Sequence, residues 1–153
     1  MAYEFKIRRQ VEFSETDMAG IMHYSNFFRY MESVEHGFFR SSGFSVVPKN
    51  VDPQVGFPRV HASCDYRKPA RFEDIIEVHL LVKEKRSKSL TYFVRFTNLT
   101  LQPPEIIAEG KLTVVCVTMT EDGMRASTLP SFMDQIQPAP QEMVDTFFRH
   151  RKE

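Results

Sequence analysis

The chain has 153 residues, of which 42% are hydrophobic, enough to bury one core of ordinary size. Its 20 basic and 20 acidic residues balance, which argues against bulk attraction to nucleic acid or to an anionic membrane. No segment is apolar enough for a signal peptide or a membrane-spanning helix, so we expect a cytoplasmic protein. The cysteines, Cys64 and Cys116, form no C-x-x-C pair, which favours free thiols over a disulfide or a metal site.

The chain begins with a predicted strand over residues 3–13. Tyr3, Phe5 and Ile7 alternate there with charged residues, and the alternation continues to about Ser14. It then stops, and Gly20 permits a bend after the acidic residues that follow.

A long helix is predicted next. Ser25 or Asn26 is its predicted N-cap, and Gly43 is its predicted end. Apolar residues recur at helical spacing and define one face: Phe27, Phe28, Tyr30, Met31, Val34, Phe38 and Phe39. Charged residues define the other: Arg29, Glu32, Glu35, His36 and Arg40.

The residue pattern over the remainder of the chain predicts a series of strands. They are expected over residues 59–67, 75–82, 90–101 and 106–118. One early helix followed by strands without intervening helices predicts an α+β domain with a largely antiparallel sheet. The loop over residues 44–58 either covers a ligand pocket or is a passive connection.

A short helix is predicted in the C-terminal region, because apolar residues recur there at helical spacing: Met143, Val144, Phe147 and Phe148. We therefore divide the chain into a domain over residues 1–137 and an extension over residues 138–153. The basic end, Arg149–Lys152, is expected to be solvated.

Asp17 is the first candidate for chemistry. It precedes the helix start, where backbone N–H groups carry partial positive charge and can stabilise an oxygen that becomes negative. A carboxylate beside such groups fits an acyl-transfer site. The ordinary interpretation, a turn or capping carboxylate, remains open on spacing alone.

The segment around Asp17 resembles the 4-hydroxybenzoyl-CoA thioesterase family and its broader acyl-CoA thioesterase members, which have the hotdog fold. The similarity rests on Val11-Glu12-Phe13, on Thr16-Asp17-Met18-Ala19-Gly20-Ile21 and on Tyr24-Ser25-Asn26-Phe27 with Arg29-Tyr30. It extends more weakly over residues 60–130. It implies a hotdog fold, in which a largely antiparallel sheet wraps around a long central helix, and hydrolysis of an acyl-CoA thioester.

The resemblance also implies residue roles. Asp17 is expected to act as nucleophile or as general base, and the backbone N–H of Tyr24 to stabilise the oxyanion. His23 is expected to contact substrate or to hold Asp17, although an isolated histidine is more often a packing or surface residue. Asn26 either orients the site or caps the helix, and Ser63 is a candidate for pocket lining from a neighbouring subunit.

The basic turn over residues 83–89 is a solvated loop or a phosphate site. By resemblance Arg86 and Lys88 bind the phosphates of coenzyme A, which is part of the substrate, so no separate cofactor or metal is expected. The resemblance also implies a homodimer or homotetramer with active sites at the subunit interface, and no nucleic-acid or membrane partner.

Two other functions remain open at this point. A hotdog hydratase or dehydratase normally pairs a catalytic histidine with an acid from the helix, which His23 and Asp17 fit poorly. A hotdog protein that binds acyl thioesters without turnover would not need a carboxylate such as Asp17 beside the carbonyl. The acyl group, aliphatic or aromatic, is not specified.

Overall fold

The computed structural model describes residues 2–148, so the basic end at Arg149–Lys152 lies outside the described residues. The regular elements in chain order are β1 (Glu4–Gln10), α1 (Ser25–Ser41), β2 (Val55–Gly56), β3 (Arg59–Tyr66), β4 (Ile75–Lys85), β5 (Ser89–Asn98), β6 (Glu105–Val115), β7 (Val117–Thr120), β8 (Gly123–Ala126) and α2 (Gln141–Phe147). Neither helix is long and apolar enough, within residues 2–148, to cross a membrane.

Five strands form one antiparallel sheet in the order β1-β4-β5-β6-β3. The helix α1 packs across one face of this sheet, and the main core lies between them. The predicted α+β architecture is confirmed. The strands β2, β7 and β8 form a second, smaller sheet.

The helix α1 has the predicted apolar face, with Tyr30, Met31, Val34, Phe38 and Phe39 completely buried. Its 17 residues give a length of about 25 Å. The helix ends as predicted, because Gly43 adopts a positive φ of 91°.

The start of α1 differs from the predicted one. Tyr24 is the N-cap, and neither Ser25 nor Asn26 caps the helix with its side chain, because both lie inside the first turn. The amide of Asn26 is used elsewhere: its Nδ2 donates to the backbone oxygen of Glu15 at 2.9 Å.

The end of the first predicted strand was also wrong. The strand β1 stops at Gln10, and Phe13–Glu15 form one 3-10 turn, which is closed by a capping box between Glu12 and Glu15. The alternation of apolar and polar residues across this segment is typical of a strand, but the local side-chain hydrogen bonds determine its conformation.

Glu35 is a correction to the predicted polar face of α1. Its side chain is completely buried and forms an ion pair with Arg59 at the start of β3. Burial raises the pKa of the Glu35 carboxyl, and the nearby Arg59 opposes that effect. The partner that compensates this buried charge lies 24 positions away, so helical spacing alone assigned Glu35 to the wrong face.

The strand predicted over residues 106–118 is two strands. The strand β6 ends at Val115 and β7 begins at Val117, with Cys116 at the break. The N–H of Cys116 donates to the backbone oxygen of Lys88, and β7 then pairs with β2 and β8 in the smaller sheet.

The helix α2 packs on the other face of the large sheet, opposite α1. Val144 and Phe147 of α2 are buried with Leu81 of β4 and Phe93 of β5 in a second apolar cluster. The sheet is therefore covered on both faces, by α1 across one and by α2 over part of the other.

Candidate active site

A cleft of about 390 Å³ opens beside the start of α1. Its walls come from the turn before α1, from the first turn of the helix and from the end of β3. The lining residues are Asp17, Ile21, Met22, Tyr24, Phe27, Tyr66, Arg67, Lys68 and Pro69. Two predicted site residues, Asp17 and Tyr24, are therefore brought together here.

Asp17 lies in a tight turn that its own backbone closes. Its N–H donates to Ile21 O at 3.0 Å, and its carbonyl oxygen accepts from the N–H of Gly20, whose φ of 78° suits glycine. The exposed carboxylate accepts one hydrogen bond through Oδ1, from the N–H of Ala19 at 2.9 Å. Within residues 2–148, Oδ2 accepts no hydrogen bond.

The helix start offers a backbone donor in the residue Tyr24, which lines the same cleft as Asp17. The N–H of Ser25 donates to His23 Nδ1 at 3.3 Å and that of Asn26 to His23 O at 2.9 Å. The N–H of Tyr24 has no acceptor among the described residues. A donor of this kind, at the positive end of a helix, suits an oxygen with developing negative charge.

His23 supports the helix start and does not contact Asp17 by any hydrogen bond within residues 2–148. Its Nδ1 lies 2.8 Å from Ser25 Oγ and its ring stacks on Tyr24 at 4.5 Å between centroids. Its backbone N–H donates to Glu15 O at 2.8 Å. This arrangement does not provide the histidine–acid pair that a hotdog hydratase would use.

Asn26 and Glu15 connect the helix to the segment before Asp17. The Asn26 amide and the His23 N–H both donate to Glu15 O, while the Glu15 side chain accepts from the hydroxyl of Tyr30 at 2.8 Å. Sequence reasoning missed Glu15. Its position two residues before Asp17 is the signal that was present, but nothing in the spacing indicated its partners.

Three aromatic residues, Tyr24, Phe27 and Tyr66, contribute to the cleft walls. The Phe27 and Tyr66 rings meet edge to face at 5.1 Å, and the Tyr66 hydroxyl donates to Tyr24 O at 3.3 Å. Arg67 and Lys68 lie at the rim, where they pair with Glu109 and Glu105. Such walls accept an apolar group and exclude water from around it.

Ser63 lies in the middle of β3 and does not line this cleft; its Oγ is 3.1 Å from His61 Nε2. Its neighbour Cys64 is a poor nucleophile, because burial raises the pKa of its thiol to about 12. The loop over residues 44–58 also does not line the cleft. It borders a separate hollow of about 630 Å³ near the end of α1.

The structure does not bring Arg86 and Lys88 to Asp17 within one chain. They lie in the turn between β4 and β5, where Arg86 pairs with Glu84. Asp17 lies near the opposite end of β4, and the 11 residues of that strand span roughly 33 Å. Within residues 2–148, no cluster of three or more His, Cys, Asp or Glu side chains could hold a metal ion.

Comparison with known proteins gives consistent matches. A family described as the thioesterase-like superfamily matches residues 11–147. A protein of Aquifex aeolicus named as a candidate esterase is 41% identical over 88 residues, which are 58% of this chain and 68% of that protein. A 1,4-dihydroxy-2-naphthoyl-CoA hydrolase of Parasynechococcus marenigrum is 34% identical over 84 residues, 49% of this chain and 54% of that protein.

Among solved structures, the 4-hydroxybenzoyl CoA thioesterase from Pseudomonas sp. strain CBS-3 superposes with a TM-score of 0.78. The match covers 87% of this chain and 99% of that chain at 21% identity, which shows a shared fold. These two relatives by sequence are matched over 68% and 54% of their own length.

Proposed function

Because this chain belongs to the thioesterase-like superfamily and has the hotdog fold, we propose that it hydrolyses an acyl-CoA thioester to a free acid and coenzyme A. One observation carries the proposal. Within residues 2–148, the cleft is lined by Asp17, whose Oδ2 accepts no hydrogen bond, and by Tyr24 at the helix start, whose N–H has no acceptor. These are the two groups that acyl transfer to water requires.

Asp17 acts on the thioester carbon by one of two routes. As nucleophile, its free oxygen bonds to the carbonyl carbon and the C–S bond breaks. The thiolate leaves and takes a proton, and water then hydrolyses the acyl–enzyme anhydride. As general base, Asp17 accepts a proton from water while the water oxygen bonds to the carbon and the thiol leaves.

Tyr24 supplies the oxyanion donor through its backbone N–H. The carbonyl oxygen of the thioester becomes negative in either route, and a preorganised donor at that oxygen typically contributes about 3 kcal/mol to transition-state stabilisation. Since the donor belongs to the backbone, its contribution survives substitution of the Tyr24 side chain.

The acyl group occupies the cleft formed with Phe27 and Tyr66. The aromatic walls favour an apolar chain or ring. Two relatives carry the names of enzymes for aromatic acyl-CoA substrates, 1,4-dihydroxy-2-naphthoyl-CoA and 4-hydroxybenzoyl CoA. Benzoyl and naphthoyl types therefore belong in a substrate panel together with short and medium aliphatic chains.

The active unit is at least a dimer. The strand β3 is at the edge of the large sheet and pairs, within residues 2–148, with β6 alone. Val60 and Tyr66 on this strand are 63% and 44% exposed. An exposed edge with apolar side chains can pair with another strand, and a second copy of β3 would join two sheets into one.

Antiparallel pairing of two β3 strands explains how the distant basic turn can serve the site. It reverses the second copy along the strand direction, so Arg86 of the partner subunit and the partner's Lys88 come to the end of the joined sheet where Asp17 lies. There they bind the phosphates of coenzyme A, the first as a planar fork and the second as a point charge.

The test is release of free thiol from a panel of acyl-CoAs by the wild type and by Asp17→Asn. We expect the wild type to hydrolyse at least one member, and the variant to lose activity by about 1,000-fold or more, because asparagine is neither a nucleophile nor a base here. Asp122→Asn, in the exposed turn between β7 and β8, is the matched control and should keep full activity.

Two results would count against the proposal. Turnover by Asp17→Asn at the wild-type rate would remove Asp17 from the chemistry. Absence of release from every substrate, together with measurable binding of the acyl-CoAs, would instead favour a protein that binds thioesters without turnover.

A further inference from the structure

We infer that Glu15 is a positioning residue, whose side chain fixes the Asp17 turn against the start of α1. The inference rests on the proposed function, since it concerns the geometry of the two groups proposed to act on the thioester. Glu15 does not line the cleft, so its effect is exerted through Asp17 and Tyr24.

The backbone of Glu15 connects the two ends of the loop that carries Asp17. Its carbonyl oxygen accepts from the N–H of His23 at 2.8 Å and from Nδ2 of Asn26 at 2.9 Å. Asp17 is two residues after Glu15, and Tyr24 is one residue after His23. Both proposed reacting groups therefore lie close in sequence to atoms that bond to this one carbonyl.

The side chain of Glu15 anchors that carbonyl to the body of the protein. Its Oε1 accepts from the Tyr30 hydroxyl and from the N–H of Glu12, each at 2.8 Å. Its Oε2 lies 3.8 Å from Nη2 of Arg9, whose guanidinium also lies over the Tyr30 ring at 4.6 Å from the centroid. Tyr30 belongs to α1 and Arg9 to β1, so the carboxylate ties the loop to both elements.

Other contacts also hold parts of this loop: Met22 is buried in the main core, and Thr16 donates to Phe13 O through both its N–H and its hydroxyl. The N–H of Met22 donates to Ala70 O at 2.7 Å, and Thr16 and Met22 form an isolated antiparallel bridge. Asp17 itself is exposed and is bonded only to neighbours in its own turn within residues 2–148. Loss of the Glu15 anchor therefore lets Asp17 shift relative to Tyr24, and a displacement near 1 Å at reacting groups costs about 100-fold in rate.

Three variants test the role: Glu15→Ala, Glu15→Gln and Tyr30→Phe. We expect Glu15→Ala to lower kcat by about 100-fold with KM changed less than about threefold, because the cleft walls are untouched. Glu15→Gln retains an oxygen acceptor for Tyr30 and Glu12 and should keep kcat within about tenfold. Tyr30→Phe should lower kcat less than Glu15→Ala does, and the two effects should not add in the double variant.

Glu32→Ala is the matched control, since it removes an exposed carboxylate from α1, the helix that carries Tyr30. It should leave kcat unchanged. If Glu15 only stabilised the fold, Glu15→Ala would lower the melting temperature but leave kcat per folded molecule normal. Glu15→Gln would then have no lost activity to restore. That pattern would overturn the inference, as would an unchanged kcat in Glu15→Ala.

Hydrogen exchange tests the same inference without any substrate. The backbone N–H groups of Asp17, Met22 and His23 all donate hydrogen bonds. We expect faster exchange at all three in Glu15→Ala but not in Glu32→Ala. Unchanged exchange would overturn the positioning role. If the wild type hydrolyses no acyl-CoA, the proposed function fails, while the exchange data still decide whether Glu15 holds the loop.

Discussion

Gly110 of β6 lies where the large sheet packs tightly against Met31 of α1. A Cβ built at this position would lie 2.8 Å from Sδ of Met31 and 3.2 Å from the backbone oxygen of Ser63. Met31 is completely buried, so its side chain has little free space in which to move. The absence of a side chain at residue 110 therefore allows α1 to lie this close to the sheet.

We predict that Gly110→Ala lowers the free energy of unfolding by about 1–3 kcal/mol, because the added methyl group overpacks the interface between α1 and the sheet. Urea denaturation of the wild type and the variant measures the difference. Gly56→Ala is the control, since a Cβ there would meet Val117 Cγ2 at an ordinary 3.7 Å. Equal losses in both variants would show that close packing at Gly110 is not the cause.

The helix α2 contacts one buried histidine of β4, His79, through Phe147. The ring of Phe147 lies 5.0 Å from the ring of His79, and Glu4 Oε1 lies 3.4 Å from His79 Nε2. Burial, with the charges of Arg95 and Lys6 adding to it, lowers the pKa of His79 to about 4. The histidine is therefore neutral in the folded protein at neutral pH.

We predict that the buried His79 makes folding sensitive to mild acid. The unfolded chain protonates His79 near pH 6.5 and the folded protein only near pH 4, so stability falls as the pH drops through this window, by up to about 3 kcal/mol in total. The difference in unfolding free energy between the wild type and His79→Asn, followed from pH 7 to pH 4, measures this contribution. A flat difference for His79→Asn over this range would contradict the prediction.

The elements themselves were predictable to different degrees. The helix α1 and the long strands follow from apolar periodicity, because each buries one continuous face. The break at Cys116 was not predictable, since the Val- and Thr-rich pattern continues through it while the chain passes from one sheet to another. Glu35 was misplaced for a related reason: its burial depends on Arg59, a residue distant in sequence.

Across the whole chain, the sequence predicted the neighbours of Asp17 near the helix start better than it predicted how the distant candidate residues are arranged. Asp17 and Tyr24 do share a cleft, which the position of Asp17 before the helix and the family resemblance together indicated. The position of Arg86 and Lys88 at the far end of β4 depends on strand direction and sheet order, which no local pattern encodes. The contacts of Glu15 were not predictable either, because its partners come from β1 and α1.

The length of β4, roughly 33 Å, separates the end of the sheet near Asp17 from the basic turn, and this separation has a genetic consequence, intersubunit complementation. If each site takes Asp17 from one chain and Arg86 and Lys88 from the other, then Asp17→Asn and the double variant Arg86→Ala with Lys88→Ala are each inactive alone. A mixed dimer of the two has one fully intact site. Random exchange of equal amounts should therefore restore about one quarter of wild-type thioester hydrolysis, whereas sites confined to single chains would restore none.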